Sequence, residues 1–182
     1  MRAFLQYLEK MEKFQIQFSG LKPGLHLFDL NLDCQFFEFF GYSEFSKCDI
    51  RVNTEMEKEE HLMVFRFRIS GDVELLCDRC GDPLTEHLDG HERLVVKLGD
   101  HNGEESEEVL LIKESDGKFD ISQILYEYVS LMVPSHRIHG DDENGNSLCN
   151  PEMLKKLDEL KEHHEPDPRW EVLNRLRENN LS

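Results

Sequence analysis

The sequence predicts an α+β fold in which mostly antiparallel strands form a curved sheet or partly open β-barrel, with one long packed helix and a helical C-terminal tail. Three observations carry that prediction. Apolar and polar residues alternate in several segments before residue 113, which is the period of a half-buried strand. After Asp116-Gly117 the period lengthens to that of a helix. The chain is also short: 182 residues with 38% hydrophobic content supply one core and little surplus. The expected division is a single α+β domain at 1–150 and a charged helical tail at 151–182.

Phe14, Ile16 and Phe18 alternate with Gln15 and Gln17, and Ser19-Gly20 with Lys22-Pro23-Gly24 closes this first strand. In "LHLFDLNLD", Phe28, Leu30 and Leu32 share a face, and "QFFEFF" adds Phe36, Phe37, Phe39 and Phe40 as core aromatics. No Lys or Arg is interleaved with them between Leu25 and Ser46, so they do not resemble a platform for stacked bases. Ile50 and Val52 begin the next strand, and Met63, Phe65, Phe67 and Ile69 mark another, with Arg66 and Arg68 on its opposite face. Val73, Leu75 and Cys77 resume the alternation after Gly71-Asp72, which predicts a hairpin around Ser70-Gly71-Asp72. "HERLVVKL" and "EVLLIK" read as two more strands, joined by the acidic loop "GDHNGEESE".

In "FDISQILYEYVSLMVP", Asp120 precedes Gln123 by three residues, the spacing of a capping box. Ile121, Leu125, Tyr128 and Met132 follow at helical spacing, and Pro134 ends the helix, expected over Phe119 to Val133. "SHRIHGDDENGNSLCNPE" is a long polar loop that nevertheless holds Cys149, His136 and His139. A short charged helix from Pro151 to about His163 follows, and a last helix places Trp170, Leu173 and Leu176 on one face that can dock on the domain or on a partner.

Charge narrows the function. With 21 Lys+Arg against 38 Asp+Glu the formal charge is −17, so the surface as a whole repels phosphate backbones and attracts basic partners. No run approaches the roughly 20 apolar residues of a membrane span, and Glu9, Lys10, Glu12 and Lys13 interrupt any leader-like stretch near the start. A cytoplasmic location follows as the expectation, and with it five reduced cysteines rather than a disulfide framework.

The chemistry concentrates in "VELLCDRCGDPL". A C-x-x-C knuckle directs two sulfurs and several backbone amides toward one point, and zinc needs four such donors in a tetrahedron. Cys77 and Cys80 supply two, and Cys149 with either His136 or His139 completes a Cys3His set. Two other readings stand beside it: a pair of buried thiols without metal, and a thiol redox couple. The redox couple normally opens a helix in an alternating β-α pattern, whereas this knuckle ends a strand. His163 and His164 form the densest pair of histidines, but adjacent helical residues diverge by about 100 degrees, and their rings do not share a target.

Taken in order, "ELLCDRCGDPLTEHL", "GKFDISQILYEYVSLMVPSHRIH", "SLCNPEM" and "DPRWEVLNRLREN" resemble the bacterial YceD family. Its members pair a C-x-R-C knuckle with a helix ending in Pro and a following Pro-x-His, then a cysteine, then a terminal segment built on Pro, an aromatic residue and Leu. The resemblance spans about Arg66 to Arg177. It matches Cys77 and Cys80 to the knuckle, Pro134 and His136 to the Pro-x-His, Cys149 to the downstream cysteine, and Pro168, Trp170 and Leu173 to the terminal motif. The implied ligands of a structural zinc are then Cys77, Cys80, Cys149 and His136. The loop between His136 and Cys149 is longer than the family pattern and offers His139 as a competing ligand.

The resemblance implies a non-enzymatic factor supporting the synthesis, processing or stability of large-subunit (23S) ribosomal RNA. Its partner would be the precursor RNA or a basic large-subunit ribosomal protein, with no small-molecule substrate. Arg66, Arg68, Arg79 and Arg93 are the residues for local RNA contact if the fold gathers them on one face. A metal-dependent rRNA-processing hydrolase and a thiol redox sensor are the alternatives.

Overall fold

The computed structural model describes residues 11–41, 44–99 and 109–162. The chain forms two compact units: Met1–Leu76 with Pro83–Arg137, and Cys77–Asp82 with Ile138–Ser182.

The first unit is built on a five-stranded sheet in the order β2-β3-β4-β5-β6. Its strands are β2 (Gly24–Asp33), β3 (Lys47–Lys58), β4 (Leu62–Leu76), β5 (Pro83–Leu98) and β6 (Val109–Ile112). Strands β2 to β5 are antiparallel in sequence, and β6 joins β5 in parallel. The order ends at β6 without returning to β2, so no closed barrel forms. A second small sheet pairs β1 (Gln15–Gln17) with β7 (Lys118–Asp120), setting Ile16 opposite Phe119.

Period-two patterning makes the long strands two-faced. Ile50, Val52 and Met56 of β3 turn inward with Met63, Phe65, Phe67 and Ile69 of β4 and Leu88 and Val96 of β5. Phe14, Phe18, Phe36, Phe37, Ile121, Leu125 and Val129 are among the other residues of this core. Burying each such side chain contributes about 1.5–3 kcal/mol relative to leaving it in water. Helix α1 (Cys34–Phe39) adds Phe36 and Phe37, and its N-cap Asp33 accepts a hydrogen bond from the Phe36 N–H at 3.1 Å. Of the aromatics expected in the core, Phe36 and Phe37 are buried, while Phe39 is 50% exposed.

Three expectations need correction. β4 runs unbroken through Ser70-Gly71-Asp72, so no hairpin lies there. Gly71 is instead a close-approach residue: a Cβ at that position would stand 2.1 Å from the Asp49 carbonyl oxygen. The turn between β4 and β5 is Cys77–Asp82, the thiol knuckle itself.

The packed helix α2 covers Ser122–Met132, 11 residues, not Phe119 to Val133, and α3 (Pro151–Glu162) is longer at 12. Phe119 belongs to β7, and Val133 is extended because it precedes a proline. The capping box does not form either. Asp120 Oδ1 accepts from the Ser122 N–H at 2.8 Å, while Gln123 donates to Glu127. Among the described residues no helix is long and apolar enough to cross a membrane.

Candidate metal centre

The second unit is assembled from a turn and a loop. In the turn, the Cys77 N–H donates to the Asp82 carbonyl at 2.9 Å and the Gly81 N–H to the Cys77 carbonyl at 2.9 Å. This geometry needs a left-handed residue at its end, and Gly81 supplies it at φ 77° without the Cβ penalty. The loop is a small hairpin. Asp141 bridges Ser147, and the Leu148 N–H donates to the Gly140 carbonyl at 2.9 Å. At its tip the Asp142 carboxylate accepts from the N–H groups of Asn144 and Asn146 and from the Asn146 side chain, and Gly145 takes φ 80°. Those bonds, the ones to Asn146 first, hold the Asp142 carboxyl below its ordinary pKa.

The hairpin places His139 and Cys149 at its two feet. Asn150 then caps α3, accepting from the Glu152 N–H at 3.0 Å, with Pro151 in the first turn where its missing N–H costs nothing. The same Asn150 donates to the Asp82 carboxylate at 3.1 Å and so ties loop to knuckle.

Four donor atoms converge as a result. Cys77, Cys80, His139 and Cys149 bring their ligand atoms within 4.8 Å of one another. The Cys77 and Cys149 sulfurs are 3.8 Å apart, Cys80 Sγ lies 3.4 Å from His139 Nδ1, and Cys149 Sγ lies 3.9 Å from it. Bond lengths of about 2.3 Å to sulfur and 2.0–2.1 Å to nitrogen, in a tetrahedron, give edges of about 3.8 Å for sulfur–sulfur and about 3.6 Å for sulfur–nitrogen. The three thiols are buried and the imidazole half-buried.

The electrostatics suit a cation. Burial pushes the Cys77 thiol up, but the N–H groups of Cys80, Arg79 and His139 and the Cys80 thiol aimed at its sulfur outweigh that and bring it down to about 6. For Cys149 the Ser147 hydroxyl lowers the pKa, yet burial and the neighbouring Cys77 and Cys80 raise it above the ordinary thiol value. Thiols this close cannot all ionise without a counter-charge. Three soft sulfurs and an imidazole are the donor set of a closed, four-coordinate zinc site.

His136, the histidine expected as the fourth ligand, is exposed and outside this group, and His139 stands in its place. The sequence signal was present: residues 140–148 carry the turn formers that make 139 and 149 opposite feet of one hairpin. Of the four arginines, Arg66, Arg68 and Arg93 lie on the first unit's sheet and Arg79 in the second unit's knuckle. Trp170, Leu173 and Leu176 fall outside the described residues.

A family model described as large ribosomal RNA subunit accumulation protein YceD matches residues 65–177, more than half of the chain. The chain belongs to the YceD family. No curated protein and no solved structure matches it. The YceD match takes in all four converging residues, β4 from Phe65 onward, β5 and α2. It leaves β1, β2, α1 and β3 outside, which agrees with a sequence resemblance that begins near Arg66.

Proposed function

We propose that this chain is a non-enzymatic ribosome-biogenesis factor supporting the synthesis, processing or stability of large-subunit (23S) rRNA in the cytoplasm. The YceD match carries this reading. Its partner is the precursor particle, met either through its RNA or through a basic large-subunit ribosomal protein suited to a surface of charge −17. The segment 151–182, with Trp170, Leu173 and Leu176, is a further docking element in this scheme.

Zinc is the proposed occupant of the Cys77–Cys80–His139–Cys149 set. Its part is structural: when bound it supplies the counter-charge for the thiolates and joins the knuckle to the loop hairpin. Four protein donors leave no open position for a water or substrate, which supports a non-catalytic role.

Depletion of the protein in its host, followed by measurement of the 23S to 16S rRNA ratio and of ribosomal sedimentation profiles, tests the reading. It expects a fall in 23S rRNA and in free and joined large subunits. An unchanged ratio and profile contradicts it.

A further inference from the structure

The five-stranded sheet has a second face, and on it the register collects cations. Inward positions of β3, β4 and β5 carry the core, so residues 51, 53, 55 and 57, 62, 64, 66 and 68, and 91, 93, 95 and 97 point the other way. Pairing sets Arg66 directly opposite Arg93 and Arg68 opposite His91, with Glu55 and Asn53 across from Arg66 and Arg68 on β3. Arg66, Arg68, His91 and Arg93 are all exposed. With Asn53, Glu55, Phe67 and Glu92 they line a concavity of about 560 Å³.

The local charge inverts that of the chain. On these twelve outward positions Arg51, Arg66, Arg68, Arg93 and Lys97 face Glu55 and Glu57, with Asp29 of β2 beside them held by the Asn53 side chain at 2.7 Å, whereas the whole chain has 21 basic and 38 acidic residues. Asp49, Asp72 and Asp89 follow beyond Ser70 and bound the island at that end. Like charges directly opposite across a strand pair destabilise the sheet. Glu57 relieves Arg66 at 3.1 Å, but among the described residues no carboxylate lies within ion-pair distance of Arg68 or Arg93. An arrangement that opposes two arginines and leaves cations unneutralised, in an otherwise anionic protein, is suited to an anion from outside. Guanidinium forks take phosphate oxygens two at a time.

We propose that this face, centred on Arg66, Arg68 and Arg93 with His91, binds the phosphodiester chain of RNA. The proposal rests on the reading of the protein as a large-subunit rRNA factor and gives it a surface. Alternate residues on a strand lie about 6.8 Å apart and neighbouring strands about 4.8 Å, so the four side chains follow a stretch of backbone rather than one phosphate. The twelve outward positions hold no aromatic residue, so recognition runs through phosphates and is tolerant of sequence. The −17 background limits binding elsewhere and confines the RNA to the island.

The test is fluorescence anisotropy of a labelled 20-nucleotide single-stranded RNA with the full chain, across a salt series. Two triple variants are compared with wild type: R66E/R68E/R93E, and K22E/K113E/K118E, which changes the net charge equally at exposed lysines elsewhere. Circular dichroism and metal content of both establish that the fold is kept. The expected result is a loss of at least tenfold for the arginine variant, a near-wild-type affinity for the lysine variant, and a salt slope lower by about 2, since each single-strand phosphate contact contributes about 0.7. Equal losses in the two variants, no loss in either, no binding by wild type, or displacement of the RNA by polyglutamate at lower concentration than by unlabelled RNA each overturns the proposal. Depletion separates this from the parent reading. Arginine-dependent RNA binding with unchanged 23S rRNA on depletion removes the rRNA role and keeps the surface, and a 23S defect rescued by the arginine variant does the reverse.

Discussion

Cys77 and Cys149, 72 residues apart in the chain, bring their sulfurs to 3.8 Å inside one compact unit. That proximity is achieved by two turns, each with a glycine in the left-handed region, Gly81 in the knuckle and Gly145 in the loop hairpin. Among the described residues of this unit only Cys77, Cys80 and Cys149 are buried, so the converging donors and the Asn150–Asp82 hydrogen bond are what join the two pieces of chain.

Gly71 and Gly90 separate two kinds of glycine constraint. A Cβ on Gly71 would meet the Asp49 oxygen at 2.1 Å and the Ile50 Cα at 2.6 Å, both backbone atoms of the neighbouring strand. On Gly90 it would meet Met132 Cε at 2.2 Å, the far end of a flexible side chain. Gly71→Ala is therefore expected to cost about 2–3 kcal/mol, and Gly90→Ala under about 1 kcal/mol, because methionine repacks while a strand backbone does not. Denaturant titration of the two variants checks the order, and an equal loss would show that the close approach at Gly71 is not structural.

Thr54 is an internal flaw that can be repaired. It is 1% exposed, and its hydroxyl oxygen has no hydrogen-bond partner. A buried unsatisfied hydroxyl costs about 1–3 kcal/mol, and valine has the same shape without it. Thr54→Val should raise unfolding stability by about 1 kcal/mol, read from the shift in denaturation midpoint.

Much of the first unit was legible because its strands keep a strict period of two. The inward series Met63, Phe65, Phe67, Ile69, Gly71, Val73 and Leu75 runs straight through the glycine, and that continuity, rather than the turn-like composition of Ser70-Gly71-Asp72, marks the true strand. Composition misled there because glycine serves close approach as well as turns. Helix α1 was not legible: "CQFFEF" has strand-like aromatics, and only the Asp33 cap and tertiary packing make it helical. The short strand β7 was hidden for a related reason, since Phe119 pairs with a segment about 100 residues away. In the candidate site the Cys77–Cys80 knuckle was legible from its spacing, whereas preferring His139 to His136 required reading the turn formers of residues 140–148 as one hairpin with 139 and 149 at its feet.

Cys48 gives a pH dependence independent of the candidate metal centre. Burial, then the charges of Cys34, Asp33 and Asp49, push its thiol up to about 12, and it donates to the Leu32 carbonyl at 3.6 Å. A pKa raised on folding contributes stability that is fully present below the unfolded value near 9 and is lost as pH rises toward about 12. Wild type should therefore lose Tm between pH 9 and about 11 more steeply than Cys48→Ser. Parallel curves for the two proteins would show that Cys48 does not carry this dependence.

We propose that Cys77, Cys80, His139 and Cys149 form one zinc site. Elemental analysis of protein purified without a metal-binding tag is the direct measurement, on wild type and on C77S, C80S, C149S, H139A and H136A. About one zinc per chain is expected in wild type and H136A, and loss of it in the other four. Well-folded wild-type protein without metal, or zinc lost in H136A and kept in H139A, would contradict it.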